Sequence, residues 1–463
     1  MEKSIIKMRR KNMLDRIEQK IVDIIDSKKD EIIAFGTDIF QHAELGYKEV
    51  RTAGKFVEKM KELGLDSETG LAITGVKSYL KEKGTTEGPT LAVIGELDAL
   101  PIPDHPDAWN GNSHCCGHNA QLTGVVGAAM ALTDPEVAES MGGNLVFFAV
   151  PAEEFVDVEF KSNLIKEGKL HYGGGKCELI RVGAFDDIDI SLGHHIFPGA
   201  DYGIYNASSN GFVNKTITFH GIAAHAAAMP HTGIDALNAA TSAMVNIALQ
   251  QESFRDEDTV RVHGFVKRGG TANNVIANDV TMEYSVRANN PEAYLDAAKK
   301  VDRSVKAAAM ATGCGVTIDT MAGYMSGVVN PHTEVLESAF EDVFGGTKYT
   351  NRRDLLTHST GSDDFGDVGS LMPLVHFATG GYSGHLHNSD VRVEDPYLAY
   401  VETAKVFALT AYRLMKNDCE KAKENIADYK PVMTKEEYIK FQDGLQTTEE
   451  IPMEPLPIVG ATV

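Results

Sequence analysis

The 463-residue chain exceeds the roughly 250 to 300 residues at which a single hydrophobic core stops growing, so two domains are expected. Apolar residues make up 43% and charged residues 24%, the balance of a folded globular protein and not of a disordered or fibrous one. With 44 Lys plus Arg against 66 Asp plus Glu the formal charge is -22, which argues against nucleic acid and anionic lipid as main partners; an anionic substrate must be drawn by local cations.

The first 32 residues mix acidic with basic positions and lack the apolar core of a secretory leader, so no signal peptide is expected. The apolar stretches, such as LVFFAV at 145–150, are too short to cross a bilayer. Five scattered cysteines do not make a disulfide framework, and a reducing cytoplasm is the expected compartment. Helical spacing of apolar positions covers 14–41 and 49–63, interrupted by HAELGY at 42–47. TLAVIGELDAL at 90–100 reads as a strand, 101–113 as a loop and 120–132 as a helix. NLVFFAVPAEE at 144–154 and IDISLGHHI at 188–196 read as buried strands running into polar loops. From about 206 the texture changes: strands in NKTITFHGIAAHAA, VRVHGFVKRGG, NDVTMEYSVRA and GVTIDTMAGY alternate with helices at 233–250 and 291–312. That block suits an inserted α+β sandwich of about 120 residues. Helix and strand then alternate through 334–416, and the charged tail beyond 417 shows no motif.

The chemically distinctive residues fall just after short apolar runs, and open α/β sheets bind ligands outside the carboxyl ends of their strands. In His114-Cys115-Cys116-Gly117-His118 a thiol and an imidazole two residues apart at a helix entrance can reach one metal, although a buried Cys is often only a small hydrophobe. Glu153-Glu154 places adjacent carboxylates after an apolar strand. Facing one low-dielectric site they would repel without a cation; with a metal, one ligates and the other accepts a proton from bound water. As an isolated pair they fit two solvated loop carboxylates better. His194-His195 and the His385/His387 cluster sit in similar strand-end contexts. Each alone fits an ordinary structural histidine, and it is their conjunction that points to a metal centre.

Over about residues 30 to 416 the sequence resembles the dinuclear metallopeptidase superfamily of aminoacylases and glutamate-releasing carboxypeptidases. Within it, the resemblance is to the amidohydrolase branch of aminobenzoyl-glutamate hydrolases, N-acyl-amino-acid deacylases and auxin-conjugate hydrolases. The matching segments are HAELGYKEVRT (42–52), ELDALP (96–101), HCCGHN (114–119), PAEE (151–154), GHH (193–195), GIAAHAAAMPHTGIDA (221–236), GGTANNVIAND (269–279), GSDDFGDV (361–368) and HLHNSDVRVED (385–395), in the family's order.

The resemblance implies an α/β catalytic domain, a mixed sheet flanked by helices, over 1–205 and 326–416. It implies an inserted α+β sandwich serving as lid and dimerisation domain over 206–325, leaving 417–463 as an extension. Two divalent ions, zinc or manganese with cobalt also allowed, would be held by Cys116, His118, Glu154, His195 and His387. Glu153 would be the general base, and Asp98 would orient the site. His225 would stabilise the oxyanion, reaching across a homodimer. Arg287, with Asn274 nearby, would bind the substrate carboxylate. His225 also fits a structural strand-end histidine, and Arg287 and Asn274 fit an exposed strand and a turn. The implied substrate is an N-acyl amino acid, an aminobenzoyl-glutamate-like conjugate or a dipeptide. A non-catalytic binding protein on the same fold is the alternative, and intact Glu153 counts against it. A zinc nucleobase deaminase lacks support, because there is no PCxxC and no HxE. The chain departs from the family at Asn119, where an Asp is usual, and in a longer stretch between PAEE and GHH that includes LHYGGGKCELIRVG.

Overall fold

The computed structural model describes residues 14–453 except 206, 355 and 356. Residues 1–13, part of the segment read for a leader, and the Pro-rich end after 453 lie outside the described residues. Two compact units are present. The first comprises the described residues up to Ala207 with those of Val329–Thr357 and Leu371–Val432; the second comprises Ser208–Val328, His358–Ser370 and the described residues from Met433.

The first unit is built on an eight-stranded mixed sheet in the order Ser67–Leu71, Gly75–Tyr79, Asn144–Val150, Thr90–Glu96, Ile190–Ile196, Leu374–Thr379, Tyr202–Ile204, Asn351–Asp354. The four strands Asn144–Val150, Thr90–Glu96, Ile190–Ile196 and Leu374–Thr379 run parallel to one another. They are almost wholly buried, as continuous apolar runs in a helix-covered parallel sheet must be. Covering helices include Arg16–Ser27, Lys29–Phe40 and Val50–Glu62, so the single helical stretch expected over 14–41 is two helices meeting at Lys28. The helix His118–Leu132 is buried on every side, rich in Ala and Gly, and lies against the Thr90–Glu96 strand.

The second unit holds a five-stranded antiparallel sheet in the order Thr447–Ile451, Gly315–Ala322, Gly211–His220, Asp279–Ala288, Arg261–Arg268, packed by helices Ala236–Ala248 and Pro291–Thr312. One of its two edge strands, Thr447–Ile451, comes from the C-terminal tail. There the helix Lys435–Leu445 starts with a capping box between Thr434 and Glu437, and buried Tyr438 donates to Asp367 Oδ1 at 2.8 Å. Among the described residues no helix is long and apolar enough to cross a membrane.

Candidate metal centre

Every sequence-predicted metal ligand lies at or beyond the carboxyl end of one of the four parallel strands. Thr90–Glu96 leads to Asp98 and then to the Cys116–His118 turn; Asn144–Val150 leads to Glu153 and Glu154; His195 sits near the end of Ile190–Ile196; and Leu374–Thr379 leads to His387. Gly117 caps the buried helix with φ +84°, a conformation that strains residues with a Cβ, and a Cβ there would collide with Ile196. The tight turn thereby brings Cys116 and His118 to one side.

The donor atoms converge. Cys116 Sγ lies 3.3 Å from His195 Nε2 and 3.4 Å from His387 Nε2, and His387 Nε2 lies 3.4 Å from Glu154 Oε1. Three sets of side chains, Cys116/His118/His195, Cys116/Glu154/His387 and Glu96/His118/Glu153, each offer ligand atoms within 4.8 Å of one another. Both buried-side imidazoles are oriented by their far nitrogen. His118 Nδ1 donates to the Asp98 carbonyl at 2.9 Å with Asp98 Oδ1 at 3.2 Å, and His195 Nδ1 donates to the Ile196 carbonyl at 2.7 Å. With Nδ1 so engaged, each ring turns its Nε2 toward the centre. Asp98 also accepts the Glu154 amide at 2.8 Å, so one carboxylate braces two loops.

This donor set fits divalent metal. His118 Nε2 and Glu154 Oε1 are buried and lack hydrogen-bond partners, an arrangement that is costly unless something else satisfies them. Burial, reinforced by Glu154, Glu153 and Glu96, pushes the Cys116 thiol well above its usual range. Burial opposes charge on His118 as well, yet Glu96 and Asp98 raise it to about 10; Glu154, which burial would raise, is brought down to about 2 by His387 and His118. The carboxylates demand positive charge, and a bound cation supplies it while making the thiolate accessible.

Residues 208–312 match the peptidase dimerisation domain of the M20 family. The human Xaa-Arg dipeptidase is 30% identical over 334 residues, 69% of this chain and 68% of that protein. The chain belongs to the M20 family of peptidases. The Mus musculus Xaa-Arg dipeptidase is 28% identical over 378 residues, 78% of this chain and 79% of its own length. A dinuclear metal-binding M20 peptidase from Bacillus subtilis shares the fold, with a TM-score of 0.59 and 21% identity over 84% of this chain and 99% of that one. This M20 protein is accordingly a hydrolase of C–N amide bonds, and its resemblance to the dinuclear metallopeptidases holds.

The remaining predicted site residues of the M20 chain lie in the second unit. Exposed His225 accepts the Ala227 and Ala228 amides at Nδ1, at 3.3 and 3.1 Å, which leaves its proton on Nε2. His225 bridges to Val275, and the Ala226 amide donates to the Asn274 carbonyl at 3.0 Å, so Asn274, expected near Arg287, instead lies beside His225. Arg287 is at the far end of the Asp279–Ala288 strand. At about 3.3 Å per residue, the two positions are separated by roughly 26 Å of strand. Arg287 stacks on Phe212 at 5.1 Å and pairs across the sheet with Arg261.

Several contacts were not readable from sequence. Asn119 is a satisfied core residue: its amide donates to Tyr400 Oη at 3.0 Å, and its carbonyl accepts from Tyr382 Oη at 3.0 Å. His194 points away from the donor cluster, bonding Thr379 Oγ1 at 2.7 Å, as alternation along a strand requires of His195's neighbour. The long stretch after PAEE folds into helices Val158–Lys166 and Gly175–Arg181, which bring two buried lysines to the site. Lys161 Nζ donates to the Glu154 carbonyl at 2.6 Å, and Lys176 Nζ pairs with Glu96 Oε1 at 2.5 Å. Gly175 packs so closely on the loop of Glu153 and Glu154 that a Cβ would lie 1.6 Å from the Pro151 carbonyl oxygen. Gly175→Ala is therefore expected to cost about 1 to 3 kcal/mol of stability, read as a lowered denaturant midpoint.

Proposed function

We propose that the protein hydrolyses the amide bond of a dipeptide or N-acyl amino acid at a two-ion centre held by Cys116, His118, Glu154, His195 and His387. The observation that carries this reading is the convergence of these five side chains at four strand ends, with Glu153 on the same loop as Glu154. A divalent pair such as zinc or manganese, held by these residues, would lower the pKa of a bound water and polarise the scissile carbonyl. Glu153, buried with Oε2 3.6 Å from His118 Nε2, takes the water's proton and returns it to the leaving amine. Asp98 holds His118 and the Glu154 amide in place for that exchange. His225, with its proton on Nε2, donates to the developing oxyanion. Arg287 binds the substrate carboxylate as a guanidinium fork.

The separation of Arg287 from His225 and Asn274 supports a homodimer in which the two ends of the strand serve different sites, one of them the partner's. The match to a dimerisation domain supports the same reading. Zinc- and manganese-loaded protein assayed on a panel of dipeptides, N-acyl amino acids and aminobenzoyl-glutamate tests the substrate class. Release of the free amino acid from at least one class is expected, and turnover of none would leave the binding-protein alternative.

The thiol assignment has its own test. Cys116→Ser is expected to lower metal content sharply, because a serine hydroxyl does not ionise at neutral pH as a coordinated thiol does. Cys115 contributes its carbonyl to the His387 amide at 3.0 Å while its thiol is buried in the core, so Cys115→Ser is expected to retain the metal. Elemental analysis showing equal loss in both would overturn the register.

A further inference from the structure

Glu96 ends the Thr90–Glu96 strand and is 1% exposed. Its two oxygens meet different partners. Oε1 accepts from the fully buried Lys176 ammonium at 2.5 Å, while Oε2 accepts from Gln121 Nε2 at 2.7 Å and lies 3.1 Å from His118 Nε2. That last contact is not a hydrogen bond, since His118 Nε2 has no hydrogen-bond partner and its Nδ1 is engaged by Asp98. An imidazole nitrogen and a carboxylate oxygen 3.1 Å apart outside hydrogen-bond geometry, with Glu153 offering a third ligand atom within 4.8 Å of both, are placed as donors to one ion. The spacing has a simple source. Two donors each about 2.0 to 2.2 Å from one ion lie roughly 2.8 to 3.6 Å apart for angles between a right angle and the tetrahedral one.

We propose that Glu96 is a further ligand of the metal centre, facing the ion that His118 Nε2 binds, and that Lys176 is the positioning residue that holds it there by taking its other oxygen. This rests on the two-ion reading above and adds a residue to it. The local charge explains why an ammonium is needed. Asp98, Glu153, Glu154 and the Cys116 thiolate already crowd the centre, and another carboxylate without a counter-charge would be expelled or protonated. Ligating carboxylates are commonly hydrogen-bonded through their second oxygen, the place Lys176 occupies. The GGGK stretch supplies the lysine: Gly175, which donates its amide to the Ala152 carbonyl at 3.1 Å, lets the helix begin against the loop of Glu153 and Glu154, and Lys176 follows it directly.

The test is calorimetric titration of the chelator-stripped full chain with Mn²⁺, together with anomalous diffraction from the Mn²⁺-loaded wild type. Wild type is expected to take up two ions per chain. Glu96→Gln, which can still accept from Lys176, is expected to keep one ion tightly and to bind the other about 10- to 100-fold more weakly; Lys176→Met is expected to weaken the same ion. A purely structural ion pair would instead lower the melting temperature of the metal-free variants and leave both Mn²⁺ affinities as in wild type, which would overturn the proposal. The diffraction experiment needs no variant to fold: a Glu96 oxygen within about 2.5 Å of an ion supports the proposal, and both oxygens beyond that distance from either ion overturn it. Wild type binding fewer than two ions would fail the two-ion reading itself, whereas two ions with Glu96 outside both shells would fail only this inference.

Discussion

Glu153→Gln is expected to lower kcat by about a hundredfold to ten-thousandfold while leaving metal content near that of wild type. The substitution keeps the shape of a side chain that is 7% exposed and removes only its capacity to accept a proton. The proposed metal ligands on either side are untouched: Glu154 keeps its amide bond to Asp98 at 2.8 Å, and His118 keeps its Nδ1 contact with the same residue. Because the proton accepted from water must later reach the leaving amine, the defect falls on kcat and not on substrate binding. Elemental analysis separates the roles within the pair. Loss of metal in Glu153→Gln would exchange the base with the ligand.

Arg287→Ala is expected to raise KM thirtyfold to several thousandfold for substrates with a free α-carboxylate, about 2 to 5 kcal/mol, and to change little for the matching amides. Arg287 is half-buried and held in place by stacking on Phe212 at 5.1 Å, so its guanidinium is pre-oriented. Its Nε donates to Ser285 Oγ at 3.1 Å, and Arg261 lies directly opposite on the neighbouring strand, so two guanidinium side chains start from adjacent positions. In a chain of formal charge -22, such a local pair is where an anionic substrate group would be captured. A residue that merely decorates the strand would shift both substrate types by less than about 0.5 kcal/mol. Steady-state kinetics on an acid and its amide decide between these, and parallel changes for the two would remove the carboxylate role.

The parallel sheet and the converging side chains were legible because each ligand lies at the end of an apolar strand or in the segment that follows it, so local sequence carries both element and chemistry. The mixed, helix-flanked sheet was what the family resemblance implied. What sequence did not disclose depends on distant pairings. Lys176 meets Glu96 across 80 residues, and Asn119 meets Tyr382 and Tyr400 across 263 and 281. No local pattern announces either contact. Asn274 and Arg287, brought together in the expectation by the family resemblance, stand at opposite ends of an extended strand, a separation no local pattern shows. The C-terminal tail did carry a readable signal, the Thr434-to-Glu437 capping box, and its helix and strand complete the second unit.

Metal reconstitution against amide hydrolysis tests the central claim most directly. Chelator-stripped protein titrated with Mn²⁺ or Zn²⁺, with amino-acid release from a dipeptide or N-acyl amino acid followed at each step, is expected to be inactive without metal and to reach full activity near two ions per chain. Hydrolysis that persists at the same rate after stripping, or full metal loading without any amine release across the panel, would contradict it.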